Sequence, residues 1–281
     1  MKNIVIAVDA AQHSLDPLAL AKLLGDATKA PLVVAHAFDD DSAGGRDEAE
    51  RVVAELAATA GVTRADFRLI PSGKRARELQ RITEEDSTGV MVVGSTTKGR
   101  LGRLLAGGGV GDRLLGGAAC PIAVAPHGYA AGAPDRLGLI GVAYDGSEDA
   151  RTALDGARKL ARAAGARLRL ITVFERAAFG GAGGSFGAGS VNQNLRAELE
   201  GAYKEALAEA PDGVETEGRF VEGSPGDVLA HESADLDLLM MGSRGFGPSG
   251  AVLLGGTTAN FMRNGQCPAL VAPRETAFDL S

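Results

Sequence analysis

The stretch LDLLMMGSRGFGPSGAVLLGGTT, Leu236 to Thr258, decides how this chain is read. It opens with a mostly apolar run, Leu236 to Met241, short enough to be a buried strand. Glycines follow at Gly242, Gly245 and Gly247, then at Gly250, Gly255 and Gly256. Thr257 and Thr258 then open a helix. A strand that feeds a glycine-rich loop and a helix start can hold phosphate, because glycine lets backbone N–H groups approach closely and the free N–H groups of the helix start face an anion. The loop is not a P-loop, since no lysine stands where G-x-x-x-x-G-K-[ST] requires one. It is not the dinucleotide fingerprint either: GSRGFG does not fit G-x-G-x-x-G, and it follows a late strand.

Outward from this stretch, the chain repeats itself. VVGS at 92–95 pairs with MMGS at 240–243, an offset of 148. CPIAVAP at 120–126 pairs with CPALVAP at 267–273, an offset of 147, and Asp9 pairs with Asp145, an offset of 136. The first copy is predicted to run through strand Asn3 to Asp9, helix Asp16 to Lys29, strand Pro31 to Phe38, helix Arg46 to Ala60, strand Asp66 to Ile70, helix Arg75 to Glu85 and strand Gly89 to Gly94. A glycine-rich loop, a helix near Val110 to Leu115 and strand Cys120 to Pro126 complete it. The second copy is predicted as strand Leu137 to Asp145, helix Glu148 to Ala164, strand Arg167 to Phe174, a low-complexity loop Ala177 to Ser190 and helix Val191 to Ala210. Strand Val214 to Val221, helix Pro225 to Ser233, strand Leu236 to Met241, the glycine loop with its helix, and strand Cys267 to Pro273 follow. Two copies of alternating strand and helix mean two α/β units with parallel sheets and helices on both faces. The expected organisation is a first domain at 1–127, a linker at 128–136 rich in glycine and proline, and a second domain at 137–281. Ligands of such sheets sit beyond the carboxyl ends of the strands, where the strand order switches. Asp145 and Gly242 both fall at such ends and can share a site.

Composition narrows the function. The 281 residues are 45% hydrophobic and 23% charged, enough for well-buried cores, and the formal net charge of −7 argues against a nucleic-acid partner. Aromatics make up 4% and tryptophan is absent, so base-stacking platforms are not expected. Cys120 and Cys267 each precede a proline and read as small buried residues, not as a disulfide framework. The four histidines, His13, His36, His127 and His231, show no metal-ligand spacing. The apolar run at the start meets Asp9 too soon for a signal peptide, and no run approaches a membrane span. The expectation is a cytoplasmic protein with no membrane partner.

The spacing Gly242, two residues, Gly245, nine residues, Gly255 resembles the universal stress protein family, whose nucleotide pattern is G-2x-G-9x-G-[ST]. The next position departs from it, being Gly256 with Thr257 and Thr258 after it. DGSEDA at 145–150 resembles the family's first-strand motif. The resemblance covers nearly the whole chain as two tandem copies. It implies two tandem open-twisted parallel five-stranded sheets, Rossmann-like and of the adenine nucleotide alpha-hydrolase type. It implies that Ala143, Tyr144 and Asp145 lie near the adenosine and that Val173 lines the adenine pocket. Met241, Gly242, Arg244 and Gly245 match the ribose and phosphate positions, and Gly255, Gly256, Thr257 and Thr258 match the helix start that receives the phosphates. The implied ligand is ATP, with a companion Mg²⁺ and the alternatives AMP and ADP left open. In the first copy Asp9, Gly94 and Gly107 keep the pattern, with Gly108 as a further candidate beside them, while Thr97 takes the second glycine position, where a positive φ would penalise it. Gly108, Gly109 and Val110 lack the hydroxyls of Thr257 and Thr258, although Lys98, Arg100 and Arg103 add positive charge. The family resemblance further implies that CPIAVAP and CPALVAP pair within the chain as an internal pseudo-dimer, and it leaves a further homodimer open.

Three functions compete at this point. One is a regulatory nucleotide-binding stress protein, one a slow ATPase, and one a scaffold whose sites have decayed. Hydrolysis needs a group that orients water. The sequence offers no phosphate-gripping lysine and no arrangement resembling Ser-His-Asp, which favours regulation over catalysis.

Overall fold

A computed structural model describes residues 2–9, 14–39, 42–71, 73, 75–95, 118–176, 185–243, 256–273, 278 and 280. The first half contains strands β1 (Asn3–Val8), β2 (Leu32–Phe38), β3 (Asp66–Pro71), β4 (Thr88–Gly94) and β5 (Ile122–Ala125), with helices α1 (Leu15–Thr28), α2 (Ala43–Thr59) and α3 (Arg75–Thr83). The second half contains β6 (Leu139–Ala143), β7 (Arg167–Phe174), β8 (Thr216–Glu222), β9 (Leu238–Gly242) and β10 (Ala269–Ala272). Its helices are α4 (Glu148–Ala164), α5 (Ser185–Ala208), α6 (Pro225–Glu232) and α7 (Gly256–Asn264).

The ten strands form one sheet in the order β3-β2-β1-β4-β5-β10-β9-β6-β7-β8. Within each half every pairing is parallel. The halves join through β5 and β10, which run antiparallel with Ala123 opposite Leu270. The two CP-x-x-V-A-P segments therefore pair with each other. Their prolines bracket the ladder, where a missing N–H costs no strand hydrogen bond. The order switches between β1 and β4 and again between β6 and β9, so each half has a switch point at the carboxyl ends of its strands, where ligands of such sheets bind.

The strands are apolar because both faces are covered. Along β1, Ile4, Ile6 and Val8 join one core, while Val5 joins the core of the opposite face. The first core packs α1, α2, α4 and α5 through Leu18, Val53, Leu154 and Ala206. The second packs α3, α6 and α7 through Ile82, Leu229 and Phe261. Helix α4 shows the local logic. Ala150, Ala153, Leu154, Ala157, Leu160 and Ala161 form its buried stripe. Ser147 caps its start, accepting the Ala150 N–H at 3.2 Å, and Gly165 ends it in the left-handed region at φ 63°.

One expectation needs revision. Residues 185–190 are the first turns of α5, not part of a loop. Glycine weakens a helix by about 1 kcal/mol each, but extending a formed helix is cheap compared with nucleating one. The segment after β5 is held by specific contacts. The buried Asp16 carboxylate accepts the N–H groups of Gly128 and Ala130, each at 2.8 Å, and holds a turn of 3₁₀ helix (Tyr129–Ala131) against α1. The helix expected near Val110 to Leu115 lies outside the described residues.

Candidate functional site

The chain leaves β6 through Tyr144 and Asp145 and turns at Gly146, whose φ of +78° demands glycine. Asp145 Oδ1 accepts the Ser147 N–H at 3.1 Å and the Ser147 hydroxyl at 2.5 Å. Ser147 in turn caps α4, so the carboxylate is fixed by the helix start that it helps to organise. Tyr144 is buried, and its hydroxyl accepts a hydrogen bond from Arg151, which raises the pKa of that guanidinium. At the end of β9, a Cβ on Gly242 would lie 2.6 Å from the Asp149 carbonyl carbon and oxygen. Glycine there lets β9 meet the first turn of α4. Gly226 plays the same part between helices: a Cβ would lie 2.5 Å from the Asn260 Cβ, so the start of α6 rests directly on α7. Asn260 Nδ2 then donates to Asp227 Oδ1 at 3.1 Å.

These contacts close a cleft of about 1210 Å³ at the carboxyl ends of β6, β7 and β9. The N-terminal ends of α4, α6 and α7 all border it, through Ser147, Ser224 and Gly256. Helix starts carry unpaired N–H groups and a partial positive charge, so together they favour an anion. Ala143, Ile171, Val173, Phe174 and Met241 give the cleft an apolar wall. Asp145, Asp149, Glu175, Glu198 and Glu205 set carboxylates around it, against the single guanidinium of Arg151 among the described lining residues.

The sequence-predicted residues Ala143, Tyr144, Asp145, Val173, Met241, Gly242, Gly256, Thr257 and Thr258 all line this one cleft. Arg244, Gly245 and Gly255 lie outside the described residues, as do Thr97, Gly107 and Gly108 of the first copy. Asp9 and Gly94 stand at the carboxyl ends of the neighbouring strands β1 and β4. Asp9 resembles Asp145 in its local role. Its carboxylate accepts the Ser14 hydroxyl at 2.7 Å, and its N–H donates to the same oxygen at 3.2 Å. The sequence reading missed the α5 side of the cleft, Leu195, Glu198, Leu199, Ala202 and Glu205. Their spacing of three to four residues marks one helix face, but nothing in that pattern says what the face overlooks. No group of three or more metal-binding side chains occurs among the described residues.

Two stretches of the chain, residues 1–126 and 138–273, match the model of the universal stress protein family. The chain belongs to the universal stress protein family. A universal stress protein of Thermus aquaticus, encoded in the QAH/OAS sulfhydrylase 3′ region, is 31% identical over 134 residues, which cover 46% of this chain and 94% of the relative. That relative corresponds in length to one half of this chain. The crystal structure of a universal stress protein from Archaeoglobus fulgidus spans both halves. It covers 97% of this chain and 98% of its own at 22% identity and a TM-score of 0.67, so the two share the tandem fold. This universal stress protein thus joins two family units in one sheet. No helix among its described residues is long and apolar enough to cross a membrane.

Proposed function

We propose that the second half of this universal stress protein binds an adenine nucleotide, ATP with Mg²⁺, and acts as a regulatory protein whose conformation or partner surface follows its occupancy. The observation that carries this is the meeting of three helix starts with an apolar strand wall in one cleft. Helix starts suit phosphates, and the wall formed by Val173 and Met241 suits a base. On this reading Asp145, with Ala143 and Tyr144 beside it, receives the ribose hydroxyls. Gly242 lies at the phosphate side, and the family resemblance assigns Arg244 and Gly245, outside the described residues, to the ribose and phosphates. Gly256, Thr257 and Thr258 receive the phosphates at the start of α7, and Gly255 is assigned there by the family resemblance alone. Mg²⁺ keeps most of its ligands as water and phosphate oxygen, so it needs few protein groups. The carboxylates around the cleft fit the same picture, because metal binding lowers the negative charge that the nucleotide brings among them. No histidine or lysine stands among the described lining residues, which favours binding without turnover over hydrolysis. The scaffold reading, with both sites decayed, predicts no binding at all.

Calorimetric titration of nucleotide-stripped protein with Mg·ATP tests the proposal, beside Gly245→Val and Thr97→Gly. The expected result is about one site per chain, lost in Gly245→Val and retained in Thr97→Gly. No heat from the wild type at millimolar nucleotide would leave the scaffold reading standing.

A further inference from the structure

Helix α5 is buried at one end and bare at the other. Ala206 packs in the core, and Tyr203 and Leu207 pack against it. Residues 189–198 are exposed apart from Asn192. Two of these exposed side chains are large and apolar, Val191 at 41% and Leu195 at 44%. Leu195 also lines the cleft, together with Val173 and Phe174 of β7. This bare end is nevertheless held in place. The Arg196 guanidinium sits 5.8 Å from the ring centres of both Phe174 and Phe220, and its Nη1 lies 3.1 Å from the Glu222 carboxylate. The seat recurs in the first half, where Arg46 of α2 lies 6.0 Å from the ring centre of Phe38 at the end of β2. In the sequence Gly45 precedes Arg46, where Leu195 precedes Arg196. The seat is common to both halves; the apolar side chain beside it is not.

Resting on the nucleotide reading above, we propose that the exposed end of α5 is the outer wall of the base site, with Leu195 lying against the base and Arg196 positioning it. A planar base between the β7 wall and Leu195 would remove the leucine from water without any movement of the helix. The ligand class is therefore one with a base or comparable flat ring, whatever its number of phosphates. The first half, with glycine at the matching place, lacks this contact.

The test compares the wild type with Leu195→Ser, Leu195→Met and Arg196→Ala, titrated with AMP and with Mg·ATP. Burial of about half a leucine side chain corresponds to roughly a five- to ten-fold change in affinity. Leu195→Ser is expected to weaken both ligands by that same factor, Leu195→Met to restore binding, and Arg196→Ala to follow Leu195→Ser. The ligand-free melting temperature of Leu195→Ser should match the wild type, since the side chain is exposed. Equal affinity in Leu195→Ser and wild type would overturn the base wall while leaving the nucleotide site intact. A loss confined to ATP would overturn it too, by placing the effect at the phosphates. A wild type that binds neither ligand would sink both readings.

Discussion

At the scale of single residues, glycines that look alike in the sequence do different work. Gly242 is forced by the Asp149 backbone beside it, whereas a Cβ on Gly256 meets no heavy atom within 4 Å. Gly256 is also the first residue of α7 and has no positive φ. A serine fits there and adds a hydroxyl at the helix start. Gly256→Ser is expected to tighten Mg·ATP binding by about 1 kcal/mol, roughly five-fold, read by titration. Weaker binding would place the phosphates elsewhere. His36 supplies a second prediction. It is buried in β2, with Nδ1 3.2 Å from the Val8 carbonyl oxygen. Burial lowers its pKa from the ordinary 6.5, and Arg75 adds to that, against the Val8 hydrogen bond and the charges of Asp9 and Asp39. The unfolded chain therefore takes up the proton first. Stability is complete above about 6.5 and falls as the pH drops through that value toward the depressed one. In His36→Thr the loss between about pH 7 and pH 5 should shrink, as read from urea unfolding at both values. The sequence disclosed Asp145 as a site candidate. It is the structure that shows the capping contact, because only the folded turn brings Ser147 back onto the carboxylate.

At the scale of elements, the sequence was most legible where periodicity and caps agreed. The spans expected for α4 and β7 match those observed, since Ser147 and Gly165 bracket a regular apolar stripe and Phe174 ends a largely apolar stretch from Leu168. Helix α5 was less legible. Its glycines read as loop, and its bare end lacks the apolar stripe that would have announced a helix. Packing between helices was invisible for a different reason: a glycine in a helix start gives no sign of what lies against it. Gly226 is the clearest case. Gly226→Ala puts a methyl group onto the Asn260 Cβ, and the clash involves side-chain roots that cannot rotate away. A loss of about 1–3 kcal/mol is expected from overpacking, measured by denaturant unfolding, with weaker nucleotide binding because α7 carries Thr257 and Thr258. Unchanged stability together with unchanged affinity would show that the start of α6 is free to shift and does not set the position of α7.

At the scale of the whole molecule, the tandem sequence concealed how far the halves are merged. The internal match disclosed two units, but a match between copies is silent about the surface they share. That surface is the antiparallel pair of β5 and β10, whose central residues Ala123, Val124, Ala269 and Leu270 are fully buried. Cys120 and Cys267 stand just before opposite ends of this pair, so they are not poised to bridge, and burial pushes the Cys120 thiol up to about 12. On each side of the sheet one apolar core runs through both halves, joining Leu18 to Leu154 on one face and Met91 to Leu239 on the other. Opening one half would expose the core of its neighbour to water, so the halves should unfold together. A ligand bound only in the second half then stabilises the first. At one hundred times its dissociation constant it adds about 2.7 kcal/mol to the whole. Hydrogen exchange should register this as slower exchange at Ile4 to Ile6 in β1 by the same factor as at Leu239 to Met241 in β9, on addition of saturating Mg·ATP. Slowing confined to β6 through β10, or two melting transitions of which only one moves with nucleotide, would mean that the shared strand pair joins the halves in space without coupling their stability.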